Sequence, residues 1–215
     1  GEGRVKVQRD ADGLRVDVQG AAIAGEVRLP MTEGAVVDGR FARLHWPAMD
    51  TKAMTGSRPE ASPAVDQTDP SGLPPLRFRI DDFRLGQAHL GLTELVTFPT
   101  PEGMRVDRFA TRSEALKLDA SGHWTRIGGQ TRSRFALNFE ADSLGGMLDA
   151  LGFVGMVENG PVKARMVGDW PGSPGSFRLD RFDGGLRLDV GSRLLDHLLA
   201  VGHADRLQRL EMQVE

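Results

Sequence analysis

Along most of this chain apolar and charged residues alternate one for one. Val5 and Val7, then Leu14, Val16 and Val18, fall on one side of an extended chain, with Lys6, Arg15 and Asp17 on the other. That period predicts half-buried strands. Asp12-Gly13 supplies the turn that closes the first pair. Ala22 to Leu29 and Ala35 to Trp46 continue as strands, so residues 1–46 read as a four-stranded meander. Periodicity is then lost from Pro47 to Pro75, a span holding Pro47, Pro59, Pro63, Pro70, Pro74 and Pro75 among Ser, Thr, Asp and Glu, which predicts a flexible connection over 47–75. Strands resume at Leu76 to Ile80, Gln87 to Phe98, Gly103 to Thr111, Ala115 to Trp124 and Thr131 to Glu140, then at Gly160 to Asp169, Ser176 to Phe182 and Gly184 to Val190, with a last one around Leu210 to Val214. Residues 76–215 therefore form the main sheet.

Two stretches break the alternation. Asp142 or Ser143 can cap a short helix near 143–152, whose Leu144, Met147, Leu148 and Leu151 share one stripe and whose end is marked by Gly152. Ser192 can cap a second, near 192–201, with Leu194, Leu195, Leu198 and Leu199 as its stripe. The fold class is thus mainly β, a long twisted antiparallel sheet with one or two short helices.

A cation, an apolar residue and an aspartate recur as a triplet: Arg15-Val-Asp17, Arg79-Ile-Asp81, Arg105-Val-Asp107, Lys117-Leu-Asp119, Arg178-Leu-Asp180 and Arg187-Leu-Asp189. On a strand each triplet sends both charges to one face and the apolar residue to the other. One side of the sheet is then wet throughout. The opposite side carries Phe78, Ile80, Leu90, Leu92, Met104, Val106, Leu116, Leu118, Phe135, Leu137 and Phe139. Two short helices are too small to cover so much apolar sheet. Either the sheet curls or doubles over and buries that face against itself, or an apolar ligand lies on it.

Composition removes several function classes. The net charge of -3 gives no basic track for nucleic acid, and the absence of cysteine excludes disulfides, zinc-thiolate sites and thiol catalysis. No apolar run is long enough to span a membrane. The histidines are scattered, no His-Glu-x-x-His occurs, and His197, His203 and Asp205 do not share a helical face, so no metal site is expected. Gly128-Gly129 and Gly145-Gly146 stand outside any phosphate-loop frame. Asp81-Asp82 reads as a turn, and Trp170-Pro-Gly-Ser-Pro-Gly-Ser-Phe177 as a rigid turn between aromatics. Neither a cofactor nor catalysis is expected; clustering of Asp81, Asp82 and Glu94 in a cleft would argue for an enzyme.

Several landmarks occur in an order that resembles the C-terminal part of YhdP-type proteins of the AsmA-like superfamily. They are Asp69-Pro70 with Leu73-Pro-Pro-Leu-Arg-Phe-Arg-Ile80, Arg84-Leu-Gly86, Leu90-Gly91, Gly122-His-Trp124, Asp142 to Phe153, Trp170 to Phe177 and Asp183-Gly-Gly-Leu-Arg-Leu188. The resemblance runs from about Gly20 to Val190. It implies a periplasmic protein held in the inner membrane of Gram-negative bacteria by an N-terminal helix outside this chain, with a taco-like groove that moves phospholipid toward the outer membrane. On that reading acyl chains lie against Phe78, Ile80, Leu92, Val106, Leu118, Leu137 and Phe139. The partners are phospholipid and, through segments outside this chain, the two membranes; the fragment is expected to be monomeric. The rival expectation is a closed β-sandwich acting as a scaffold or envelope assembly partner.

Overall fold

A computed structural model describes residues 3–46, 69–86, 88–143, 161–177, 181–190 and 212–213. Its strands are β1 (Arg4–Arg9), β2 (Gly13–Gln19), β3 (Ile23–Pro30), β4 (Val37–Trp46), β5 (Leu76–Leu85), β6 (Ala88–Thr100), β7 (Gly103–Arg112), β8 (Leu116–Ile127), β9 (Gln130–Ala141), β10 (Val162–Pro171), β11 (Asp183–Val190) and β12 (Met212–Gln213). All twelve lie in one sheet in chain order, and the first does not pair with the last, so the sheet is open. Neighbours are antiparallel except β4 with β5 and β11 with β12. The expected strand at Ser176–Phe182 is replaced, where described, by a 3-10 turn at Pro174–Ser176 and by two phenylalanines that turn inward. The helices expected near 143–152 and 192–201 lie outside the described residues, apart from Ser143.

Local chemistry explains the hairpins. Gly128 and Gly129 both have positive φ, 60° and 80°, the turn whose twist matches its flanking strands, and Ile127 then faces Gln130. The parallel β4–β5 pair has a different demand. Trp46 ends β4 at the opposite rim from Leu76, where β5 begins, so residues 47–75 must return along a ten-residue strand, a distance of about 33 Å at 3.3 Å per residue. The long proline-rich stretch meets that requirement, as no hairpin turn does. Its last residues make a 3-10 turn at Pro70–Gly72, capped by the Asp69 side chain accepting from Ser71 N, with Pro70 buried.

Register turns the alternation into rows that run across the strands. Val7, Val16, Val27, Gly39, Phe78, Leu95, Phe109, Ala120, Leu137 and Met166 stand opposite one another from β1 to β10. We call their side the inner face. Buried residues concentrate there in two adjoining clusters. Leu90, Leu116, Leu118, Phe139, Ala141, Val162 and Ala164 form one, and Val106, Phe135 and Trp170 the other. Register breaks near Gly25, between Ile80 and Arg84, at Val96 and between Val106 and Phe109 add twist and bend, in keeping with a curled sheet.

Candidate functional site

Six of the seven residues singled out from the sequence meet on the inner face. Phe78 and Leu137 share the row just described. Ile80 lies beside Thr93 in the next row, which continues through Thr111 and Leu118 to Phe139. Val106 stands one row over, opposite Gly122, with Phe135 beyond. Val106, Leu118, Phe139 and Ile80 are buried, and Phe78 and Leu137 half-buried.

Leu92 is the exception. It faces Arg112, and that row runs on through Lys117, Glu140 and Lys163, so it lies on the charged side. Gly91, with φ 69°, sits at a register break opposite Phe83. The extra residue inverts the phase of β6, leaving Leu90 inside and bringing in Thr93, Leu95 and Thr97. A glycine inside an alternating run was the one available sign of it.

The inner face is not uniformly covered. Ile80, Val106, Leu118 and Phe139 are buried on β5 to β9, but Val5 and Val7 on β1 are 63% and 60% exposed. Apolar surface therefore reaches solvent at the β1 edge, where Leu14 and Leu29 are also exposed.

The rim where β10 ends is lined by aromatics. Trp170 stacks on Phe135 at 5.5 Å between ring centres, meets Phe177 edge-on at 5.1 Å, and Phe177 meets Phe182 at 5.8 Å. The Trp170 indole donates to Ser173 O at 3.0 Å, and the Ser133 hydroxyl donates to Gly172 O at 2.9 Å. Both bonds tie the turn after β10 down onto the sheet.

Polar groups on the inner face are mostly answered. The Thr93 hydroxyl donates to Gly91 O at 3.2 Å, and Thr97 Oγ1 accepts from Leu76 N at 3.1 Å. Thr111 Oγ1 and Trp124 Nε1 are buried without a hydrogen-bond partner. Replacing a buried, unpaired hydroxyl by a methyl removes a desolvation penalty. Thr111→Val is therefore expected to be neutral or to stabilise by up to about 1 kcal/mol in urea unfolding.

The outer face is ionic. Glu26 meets Arg15 and Arg28, Glu94 meets Arg79 and Arg108, and Glu140 meets Lys117 and Lys163, each acid bridging two cations. Asp81 also meets Arg79, at 3.7 Å. Asp82 belongs to a different group: His45 Nε2 and His89 Nε2 each lie 3.0 Å from one of its oxygens, with Arg84 Nε at 3.3 Å. The carboxylates of Asp81, Asp82 and Glu94 are thus divided between two sets of cations. Among the described residues no group of three or more His, Asp and Glu is arranged to hold a metal ion.

The hydrogen bond from His45 holds the Asp82 carboxyl below the usual carboxylate range against the opposing effect of burial, with further help from Arg84. A depressed carboxylate stabilises the fold at pH values above its unfolded pKa, and that contribution is lost as pH falls through the folded value. Asp82→Asn is accordingly expected to destabilise by up to about 1 kcal/mol at neutral pH, and by progressively less as the wild-type carboxyl is protonated in acid. Unfolding midpoints of both proteins across that range measure it.

Among the described residues the fold and its two faces define a class: an open β-sheet protein with ionic clusters on one side and rows of mainly apolar residues on the other. Residues 2–210 match the YhdP protein family, and the chain belongs to that family. No curated protein and no solved structure matches it.

Proposed function

We propose that this chain is a non-enzymatic, periplasmic segment of a bridge-like lipid transfer protein, carrying phospholipid between inner and outer membrane and so supporting the outer-membrane barrier. The observation that carries the reading is the row from Val7 to Met166, which crosses ten strands without a charged residue in it. Each acyl methylene moved from water onto such a surface gains about 0.8 kcal/mol. Equivalent neighbouring positions let a chain slide without a deep trap, and no cofactor is needed. Membership of the YhdP family supports the same reading. Acyl chains lie along Phe78, Ile80, Val106, Leu118, Leu137 and Phe139 and reach the face from its exposed end on β1. Attachment to the inner membrane falls to a helix outside this chain.

Photo-crosslinking from Val7, Val16 and Leu118 to phospholipid in intact cells tests it. Adducts are expected from all three positions and not from Lys117. Adducts confined to Lys117 or Arg134 would overturn the assignment of faces.

The burial of Ile80, Val106, Leu118 and Phe139 favours a second reading, an envelope scaffold whose apolar face is filled by protein. Native mass spectrometry of the purified chain separates the two. Co-isolated phospholipid is expected for a conduit, and lipid-free protein for a scaffold.

A further inference from the structure

The three tryptophans of the chain are placed in three different ways. Trp46 is exposed, and Trp170 is buried with its indole nitrogen donating to Ser173 O. Trp124 is only 8% exposed, yet its Nε1 has no hydrogen-bond partner. Register fixes its side of the sheet: it faces Met104 on β7 and Ser133 on β9, two residues beyond Gly122 on the inner face. A buried N–H donor on an apolar surface is a standing cost that an acceptor oxygen would remove.

What lies on either side of Trp124 names the acceptor. Toward the interior the inner face is hydrocarbon and aromatic, with Val106 and Phe135 flanking Gly122. Toward solvent the next residue on the same side is Arg126, about 7 Å further along the strand. Its guanidinium is exposed at the rim and lies 3.7 Å from Asp69 Oδ2. The Ser71 amide and hydroxyl both donate to Asp69 Oδ1, at 3.0 and 2.7 Å, and Asp69 Oδ2 faces only one nitrogen of a guanidinium that carries five N–H donors. Arg126 therefore keeps donors for a second anion. From the inside outward the sequence of chemistry is apolar floor, neutral donor, then cation. A glycerophospholipid presents the matching order: acyl chain, ester carbonyl, phosphate.

We propose that Trp124 and Arg126 form a polar anchor for a glycerophospholipid, the indole N–H donating to an ester carbonyl and the guanidinium meeting the phosphate while the acyl chains run onto Val106 and Phe135. This rests on the lipid-conduit reading above and adds to it the place where the polar end of the lipid is held. A free fatty acid shares the acceptor oxygen next to an acyl chain but has no phosphate beyond it, so the two are separable.

The test is the indole N–H signals of the full chain in proton–nitrogen NMR, with Trp124 assigned by Trp124→Phe. The probes are dihexanoylphosphatidylglycerol below its micelle concentration, decanoate and dodecane. The phospholipid is expected to shift the Trp124 indole signal and leave Trp46 and Trp170 in place, whereas dodecane shifts only inner-face methyl signals such as Val106 and Leu118. Trp124→Phe, which keeps a buried ring, and Arg126→Gln, at the exposed rim, are each expected to weaken phospholipid binding about three- to tenfold. Methyl shifts with a silent Trp124 indole, or unchanged affinity in both variants, would overturn the anchor and leave the conduit standing. An equal Trp124 response to decanoate that Arg126→Gln leaves untouched would overturn the phospholipid assignment. No response of the inner face to any probe would sink the conduit reading as well.

Discussion

Trp170→Ala is expected to destabilise the chain by about 3–5 kcal/mol, the range for emptying a buried aromatic site. Trp170 is 4% exposed and lies between Phe135 and Phe177. Its removal takes away two ring contacts and the indole donor to Ser173 O, leaving the Ser133 hydroxyl bond to Gly172 O to fasten the turn. The loss should be local. Hydrogen exchange is expected to accelerate along β9 to β11 and stay close to wild type on β1 to β3. Trp170→Phe keeps most of the ring packing and should lose less than half as much. Urea unfolding of the three proteins measures the order.

Leu118→Asp is expected to exceed about 4 kcal/mol, or to prevent folding of the central strands, because it places a carboxylate where no cation faces it. Leu118 is buried in the cluster that includes Leu116, Phe139 and Ala164. The adjacent change Lys117→Asp supplies the control. Lys117 lies on the other face, where its partner Glu140 also meets Lys163, and losing an exposed ion pair costs about 1 kcal/mol or less. Two neighbouring positions in one strand should thus differ by several kcal/mol for the same introduced side chain. Comparable losses from both would mean that the two faces are not distinct.

Much of this was readable from alternation, because a strand with one buried face writes period two into its sequence. The triplets Arg15-Val-Asp17, Arg79-Ile-Asp81 and Lys117-Leu-Asp119 each put their central residue inside, and register sets Val16 against Val27, Ile80 against Phe41 and Leu118 against Phe139. Leu92 was misplaced because alternation has no memory across a bulge: one inserted residue at Gly91 inverts everything after it until the next break. Pairing between distant segments was equally hidden. Nothing local to Val37 or Leu76 says that they lie side by side, so the parallel pairing that joins the strands of residues 1–46 to β5 had no signal in the alternation. Trp124 stands out only once its neighbours are known, since an unanswered N–H is a property of surroundings and not of residue type.

The apolar rows run across the strands and not along them. Strands are spaced about 4.8 Å apart, so one further hairpin would lengthen the oily path by about 10 Å and change nothing in the width or chemistry of what is already built. Reach in a protein of this design is set by counting hairpins. Every added strand brings one charged side and one apolar side, so length grows without any redesign of either face.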